Sequence, residues 1–231
     1  MKSSYYKYFA ALLLFGFNGI VASNINLPSY EIVLLRLLLG SLFLITVFTV
    51  SRQRFTFYRN KHTCLYLFIS ASAMGASWML LYEAYQQVGI SIASLAYYCG
   101  PVIVMILSPF LFRETLTWPK IAGFLTVLAG MCLVNLQALD EGKTIWGLFC
   151  GLMSAFMYAL MVTANKKAKP ESGLENSLLQ LVIGSFIVVA FVSMQKNFVL
   201  SLTTIDWIPV LLLGLLNTGI GCYLYFSSIQ K

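Results

Sequence analysis

The chain has 231 residues, of which 59% are hydrophobic and only 10% are charged, and its formal net charge is +7. Its mean hydropathy of +0.82 excludes an ordinary water-soluble domain, because the outside of such a domain must face water rather than lipid. The basic residues are scattered over short gaps and form no folded patch, which argues against a nucleic-acid partner. The sequence therefore predicts an integral membrane protein with several helical spans.

Apolar runs of membrane-helix length, about 20 residues, follow one another along the chain. Strands of a membrane β-barrel would be shorter and would alternate apolar with polar residues, which these runs do not do. The prediction is an all-α integral membrane protein of about eight transmembrane helices. The predicted spans are Tyr8–Asn24, Tyr30–Val50, Cys64–Tyr85, Ser91–Phe112, Trp118–Leu136, Ile145–Thr163, Leu178–Met194 and Trp207–Ser227. The first has the basic start of a signal peptide, but seven spans follow it and we expect it to be retained.

The basic residues fall almost entirely in every second gap between the spans. Those on one side are Lys2, Lys7, Arg52, Arg54, Arg59, Lys61, Arg113, Lys120, Lys166, Lys167, Lys169 and Lys231. The other side has only Lys143 and Lys196, and Arg36 lies within a span. Because loops rich in Lys and Arg are retained in the cytoplasm, we predict a multi-pass protein of the cell membrane with a cytoplasmic N-terminus.

Two parts of the chain resemble each other weakly. The third span reads MGASWMLLYEAYQQ over Met74–Gln87, and the eighth reads TGIGCYLYFSSIQK over Thr218–Lys231. Both place glycine early, aromatic residues in the middle and glutamine near the end. Such self-similarity indicates an internal repeat. A repeat with an odd number of spans enters the membrane from the opposite side in its second copy, as in the inverted repeats of secondary transporters.

The stretch Ser91–Asn135 reads SIASLAYYCGPVIVMILSPFLFRETLTWPKIAGFLTVLAGMCLVN. It contains a helix start of small residues, a proline, a glutamate that closes the fourth span, a lysine and two glycines seven apart, here Pro101, Glu114, Lys120, Gly123 and Gly130. This pattern resembles the end of one EamA-type repeat of the drug/metabolite transporter superfamily, and Arg36 also fits. The resemblance covers the whole chain. It implies a ten-helix carrier built as a 5+5 inverted repeat, with both termini in the cytoplasm.

On this resemblance, residues 1–138 form a first EamA-like repeat of five transmembrane helices. Residues 144–231 form a second, truncated repeat of three, so that roughly 50 residues, enough for two spans, are expected to be missing from it. The expected fold is a partial 5+5 bundle. One wall of its central cavity would open to lipid, and polar residues such as Asn217 and Thr218 would have no protein partner there.

Arg36 is the most unusual residue of the predicted spans, because it lies about two turns into the second span among leucines. A charged residue at that depth costs about 2.5–3.5 kcal/mol on insertion scales, so it should face the bundle interior and find a partner. Three roles stay open: contact with a substrate anion, an internal ion pair with Glu83, or extension of the side chain to the outer surface.

Other polar and aromatic residues of the spans are predicted to line a central pocket for an amphipathic or amino-acid-like solute. They are Asn18, Trp78, Tyr82, Tyr97, Tyr98 and Tyr158. Pro101 would kink its helix and free a backbone carbonyl at mid-membrane. With Arg36 and Glu83, these residues make up the candidate substrate-binding site, although a packing role is open for each of them.

The sequence offers no enzyme motif, no catalytic residue, no metal site and no cofactor-binding pattern. The resemblance implies a secondary transporter that moves a small organic metabolite, amino acid or drug-like solute across the cell membrane, with export as the suggested direction. The alternative is a non-transporting or partner-dependent membrane protein, such as a truncated carrier or a subunit. The expected partners are the solute and the lipid bilayer, and either a second copy of the chain or a protein that completes the bundle, with no nucleic acid.

Overall fold

The computed structural model describes residues 2–113, 115, 117–135, 145–169, 172–194 and 207–229, and within them the chain is helical and contains no strand. The helices are α1 (Lys2–Gly16), α2 (Asn18–Ser23), α3 (Ser29–Val50), α4 (Lys61–Tyr97), α5 (Cys99–Phe112), α6 (Trp118–Asn135), α7 (Ile145–Ala168), α8 (Gly173–Ser193), α9 (Trp207–Leu211) and α10 (Gly221–Ile229). A 3₁₀ turn at Phe57–Arg59 precedes α4, and a π-helical segment, Leu212–Ile220, joins α9 to α10. The predicted all-α membrane fold is confirmed.

Six helical segments of the described residues are long and apolar enough to cross a membrane. The third covers 52 residues, Lys61–Phe112, which would extend about 80 Å if straight, far beyond the ~30 Å hydrocarbon core. This segment is not straight, because Gly89 breaks its helical geometry with φ 78° and ψ 161°. A positive φ of this kind is tolerated by glycine, which has no Cβ. The break falls in the predicted gap between the third and fourth spans.

A second break separates α4 from α5 at Tyr98. Pro101 lies in the first turn of α5 and has no N–H to donate to the carbonyl of Tyr97, four residues earlier. The expected distortion therefore occurs at the junction of two helices, and not in the middle of one helix.

The centre of the bundle is built from α3, α4, α7 and α8. The most extensive contact joins α4 to α7, and α8 packs on both α3 and α4. Gly151 of α7 allows the close approach to α4, since a Cβ built there would lie 2.8 Å from the Cβ of Ala96. Around this centre, α1 packs on α10, α5 on α7, and the π segment on α3.

Polar side chains join the central helices by reciprocal hydrogen bonds. The hydroxyl of Ser77 donates to the carbonyl of Ser154 at 2.9 Å, and the hydroxyl of Ser154 donates to the carbonyl of Ser77 at 2.8 Å. The amides of Asn165 and Asn176 exchange two bonds, at 2.9 and 3.0 Å. These pairs link α4 to α7 and α7 to α8, and they satisfy polar groups that have no water available inside a membrane.

The outside of the bundle exposes large apolar side chains. Ile145 is 86% exposed, Met194 83% and Phe110 81%. Contiguous apolar surface of this kind is uncommon on soluble proteins. It fits a surface that faces lipid chains.

Candidate functional site

A cavity of about 330 Å³ lies inside the bundle, between helices from both halves of the chain. Its walls come from α1, α2, α3, α4, α5, α7 and α10. Eight of the nine predicted site residues line it, namely Asn18, Arg36, Trp78, Tyr82, Tyr97, Tyr98, Pro101 and Tyr158. The ninth, Glu83, is not part of the lining. The structure thus brings these side chains together, while their role in binding stays a prediction.

Arg36 is almost fully buried at one wall of the cavity, with 2% of its surface exposed. Its Nε donates to the hydroxyl of Thr218 at 2.9 Å, and its Nη1 donates to the hydroxyl of Tyr82 at 2.6 Å. The guanidinium carbon lies 4.1 Å from the ring centre of Trp78 and 5.3 Å from that of Tyr82. Both distances are within the range of cation–π attraction. The third nitrogen, Nη2, has no hydrogen-bond partner among the described residues.

The ion pair between Arg36 and Glu83, one of the three roles left open for Arg36, is not formed in the structure, where the guanidinium bonds to two hydroxyl groups. The reason is helical geometry. Consecutive residues of an α-helix point about 100° apart, so that when Tyr82 faces Arg36 its neighbour Glu83 faces elsewhere. Glu83 accepts a hydrogen bond from Gln87, one turn further along α4, at 3.0 Å.

The π segment supplies a partner for Arg36 that the sequence did not predict. The hydroxyl of Thr218 donates to the carbonyl of Leu213, five residues earlier, at 2.8 Å. Its lone pairs are therefore left to accept from Arg36. Asn217, the preceding residue, donates to the side-chain oxygen of Asn18 at 2.9 Å. The expectation that Asn217 and Thr218 would lack protein partners is wrong, since both side chains bond across the bundle.

Three tyrosines lie between the central cavity and a second one of about 270 Å³. The hydroxyls of Tyr158 and Tyr225 are 2.9 Å apart and share a hydrogen bond. The ring of Tyr8 lies 6.0 Å from that of Tyr225. All three residues line both cavities. The second cavity continues to Lys120, which belongs to the predicted cytoplasmic side, so these tyrosines separate the centre of the bundle from that side.

The internal repeat could have located other lining residues that were missed. When the third and eighth spans are aligned as they stand, Trp78 matches Cys222 and Tyr82 matches Phe226. Both matching residues line the cavity. Carrying the candidates of the first repeat over to the second by this offset would therefore have added two correct wall residues.

A second buried ionisable residue, Glu175, lies away from the cavity in the first turn of α8. Its exposed fraction is 1%. The carboxylate accepts hydrogen bonds from the backbone N–H groups of Thr56 and Phe57 at 2.6 and 2.9 Å, and from the hydroxyl of Thr56 at 2.6 Å. Glu175 therefore holds the α3–α4 connection against α8.

Within the described part of the chain, no group of three or more His, Cys, Asp or Glu side chains is arranged to hold a metal ion. Of the described residues that line the central cavity, Arg36 alone is charged. The rest of the lining is aromatic, aliphatic or a neutral polar group. This composition is suited to holding an organic solute by contact and hydrogen bonding.

Comparison with known proteins supports a transport role. The sequence profile of the EamA-like transporter family matches residues 3–136 and 145–231. The chain is similar to the "Uncharacterized transporter YxxF" of Bacillus subtilis (strain 168), with 26% identity over 97% of this chain and 72% of that protein. It is also similar to the "Uncharacterized transporter in sor 3'region" of Acidianus ambivalens, with 26% identity over 58% of this chain and 51% of that protein.

Among the solved structures similar to this chain is one titled "Crystal structure of protein". The alignment covers 100% of this chain and 80% of the other chain, with a TM-score of 0.78 and 18% sequence identity. At that identity, the likeness shows a shared fold alone.

Proposed function

This chain belongs to the EamA-like transporter family, and from this premise we propose that it is a secondary transporter whose substrate is a small organic solute held in the central cavity. The observation that carries the proposal is the origin of the cavity walls. Arg36 and Trp78 come from the first matched stretch, and Tyr158 and Cys222 come from the second. In inverted-repeat carriers, the solute site lies where two repeats meet.

The two stretches are proposed to be structural repeats, residues 1–138 and 144–231. The helix contacts support this division. If α1 is equivalent to α7, α3 to α8, and the first part of α4 to the π segment with α10, then the contacts occur in matching pairs. The packing of α7 on α4 corresponds to that of α1 on α10, and the packing of α8 on α4 corresponds to that of the π segment on α3. The helices α3 and α8, which would be equivalent, pack on each other. Such paired contacts are expected of a bundle with a pseudo-two-fold axis.

Passage of a solute requires the cavity to open to each side in turn. We propose that the hydrogen-bonded pair of Tyr158 and Tyr225 closes the cavity on the cytoplasmic side and parts when solute enters from the cell. Movement would then be outward across the cell membrane. The single hydrogen bond between two neutral hydroxyls contributes only about 1 kcal/mol, so it can break without a large barrier.

A cavity-filling variant tests the transport role. Purified protein would be reconstituted in liposomes loaded with a metabolite extract, and solute release would be followed by mass spectrometry. Ser94→Trp places an indole in the cavity lining, so release should fall to the level of protein-free liposomes. Ser91→Trp, on the exposed face of the same helix, is the matched control and should behave as the unmodified protein. Equal release from both variants, or no release from the unmodified protein, would contradict the proposal.

The proposed orientation has its own test. Single cysteines near Arg54 and Lys167 should be protected from an impermeant thiol reagent added outside intact cells. Cysteines near Asn26 and Gly142 should react. The native Cys64 is exposed and must first be replaced by serine. The opposite labelling pattern would reverse the orientation that the basic residues predict.

A further inference from the structure

We propose that the solute is an organic anion, a carboxylate on an apolar body, and that Arg36 and Tyr82 bind its carboxylate. This inference deepens the proposed function and rests on it. It starts from a charge without a counter-charge. Arginine side chains carry a positive charge in proteins. Among the described residues, every contact of Arg36 is with a neutral group: two hydroxyls and two aromatic rings.

Among the described residues, two donor groups at this wall have no acceptor, the Nη2 nitrogen of Arg36 and the hydroxyl of Tyr82. Nη2 of Arg36 is buried without a partner. Arginine has no acceptor atom, so the hydroxyl oxygen of Tyr82 must be the acceptor in its 2.6 Å bond to Nη1. The O–H proton of Tyr82 is therefore available to another group. An N–H of Nη2 and the O–H of Tyr82, on two side chains that are hydrogen-bonded to each other, can be satisfied together by an acceptor with two oxygens, and a carboxylate supplies both.

Thr218 fixes the direction of this site. Its proton is committed to the carbonyl of Leu213, so it can only accept from Nε. Thr218 thus holds the guanidinium group at Nε. The N–H groups that remain for a ligand are therefore on the two terminal nitrogens, Nη1 and Nη2. Arginine presents such paired donors in a fork that matches carboxylate geometry.

The remainder of the cavity disfavours a zwitterion. No acidic side chain is part of the lining among the described residues, so the ammonium group of an amino acid would find no counter-charge. The rings of Trp78 and Tyr82, which could attract it, already face the guanidinium. The volume of about 330 Å³ is near the lower end of the ~300–1,000 Å³ of small-molecule pockets. The geometry therefore favours a small monoanion over an amino acid.

Trp78 provides a direct signal of binding. Its ring lies 4.1 Å from the guanidinium carbon, so we expect a carboxylate bound to Nη2 to alter the surroundings of the indole. The other tryptophans, Trp118, Trp146 and Trp207, are exposed at the ends of their helices. Replacing each of them with Phe leaves Trp78 as the only indole, and its fluorescence can be titrated in detergent without measuring transport.

The experiment titrates this single-tryptophan protein with three carboxylates and their matched amides: acetate and acetamide, butyrate and butyramide, phenylacetate and phenylacetamide. Phenylalanine is the zwitterionic probe. We expect phenylacetate to bind at least about tenfold more tightly than phenylacetamide, since hydrogen bonds to a charged group are the stronger kind. Arg36→Met should abolish the difference. Tyr82→Phe should reduce it about three- to tenfold, with phenylacetamide unaffected.

Arg54→Met removes the same charge from an exposed position and is the matched control, with unchanged affinities expected. Equal affinities for acid and amide, tighter binding of phenylalanine than of phenylacetate, or binding by none of the carboxylates would overturn the proposal. Because the signal does not depend on flux, the two proposals can fail separately. If the protein bound carboxylates but released no solute, the anion site would be supported and the transport role contradicted. If the protein released solute and Arg36→Met did not change that release, the transport role would be supported and the anion site contradicted.

Discussion

Two of the buried charged side chains among the described residues, Glu175 and Arg36, have opposite charges and differ in how fully the protein bonds them. Glu175 is 1% exposed and its carboxylate accepts three hydrogen bonds from the α3–α4 connection. Arg36 is 2% exposed, and one of its three nitrogens has no partner. Glu175 also lies in the first turn of α8, where the helix dipole favours a negative charge.

The difference shows that burial of a charge does not by itself mark a functional site. What distinguishes the two residues is how far the protein satisfies each of them. A fully bonded carboxylate at the end of a helix stabilises the fold. A guanidinium whose donors are not all bonded by the surrounding protein is incompletely stabilised by the fold, and a ligand can supply the missing interaction.

The largest effect on stability is expected at Glu175. In Glu175→Leu, two backbone N–H groups and one hydroxyl lose their acceptor, and the free energy of unfolding should fall by about 3 kcal/mol. Glu175→Gln keeps one carbonyl oxygen for the two N–H groups and should lose less. Thermal unfolding in detergent measures both. If the two variants were as stable as the unmodified protein, Glu175 would not have the structural role assigned to it.

Removing the charge of Arg36 should not lower the free energy of unfolding, in contrast to Glu175→Leu. Arg36→Met removes a charge that the fold satisfies only in part, so the stability of the empty protein should stay level or rise by up to about 2.5 kcal/mol. Solute release should nevertheless drop at least about tenfold. Parallel unfolding and release measurements check this pair of changes. A strong loss of stability in Arg36→Met would show that Arg36, like Glu175, stabilises the fold, and would contradict the difference drawn between them.

Thr218, which accepts a hydrogen bond from Arg36, tests how much of the buried charge the protein itself stabilises. Thr218→Val keeps the shape of the side chain but removes the acceptor for Nε, and it should cost about 1.5 kcal/mol by leaving a second guanidinium nitrogen unpaired. In the Arg36→Met background, the same change should cost less, because no donor is left to satisfy. A double-mutant cycle of unfolding free energies measures the coupling. Additive losses would show that Thr218 acts independently of Arg36.

The smallest effect is expected at the α4–α7 contact, outside the cavity lining. Ser77→Ala removes one side chain of the reciprocal pair with Ser154. Interhelical hydrogen bonds of this kind average about 0.6 kcal/mol in membrane proteins. Solute release per folded molecule should not change. A large fall in release would show that the α4–α7 contact takes part in transport, and the cavity wall would then not be the only functional region.

The elements of the fold were predictable because they depend on composition and span length. The apolar runs gave helices at nearly the right places, and the cost of burying a charge correctly indicated that Arg36 faces the interior. The predicted seventh span began at Leu178, whereas α8 begins at Gly173. The sequence interpretation therefore left Glu175 in a gap, and its role as a buried acceptor was missed.

The pairing of side chains was harder to predict, because it depends on angles that the sequence pattern does not contain. Glu83 and Tyr82 are neighbours in sequence, and about 100° of helix rotation decided which of them meets Arg36. Thr218 lies in a π-helical segment, whose wider turn shifts every following side chain relative to an α-helix. No composition signal marks that segment, so Thr218 could not be assigned to Arg36 beforehand.

Ligand-induced stabilisation tests most directly whether the two buried charges have different roles. A ligand that binds the folded state and not the unfolded state raises the free energy of unfolding by RT ln(1 + [L]/Kd), where [L] is the free ligand concentration. Saturating phenylacetate should therefore raise the unfolding temperature of the unmodified protein and of Glu175→Gln, even though the latter starts lower, and it should leave Arg36→Met unchanged. An equal rise in Arg36→Met, or a rise that Glu175→Gln alone abolishes, would contradict the assignment of Arg36 to the solute and Glu175 to the fold.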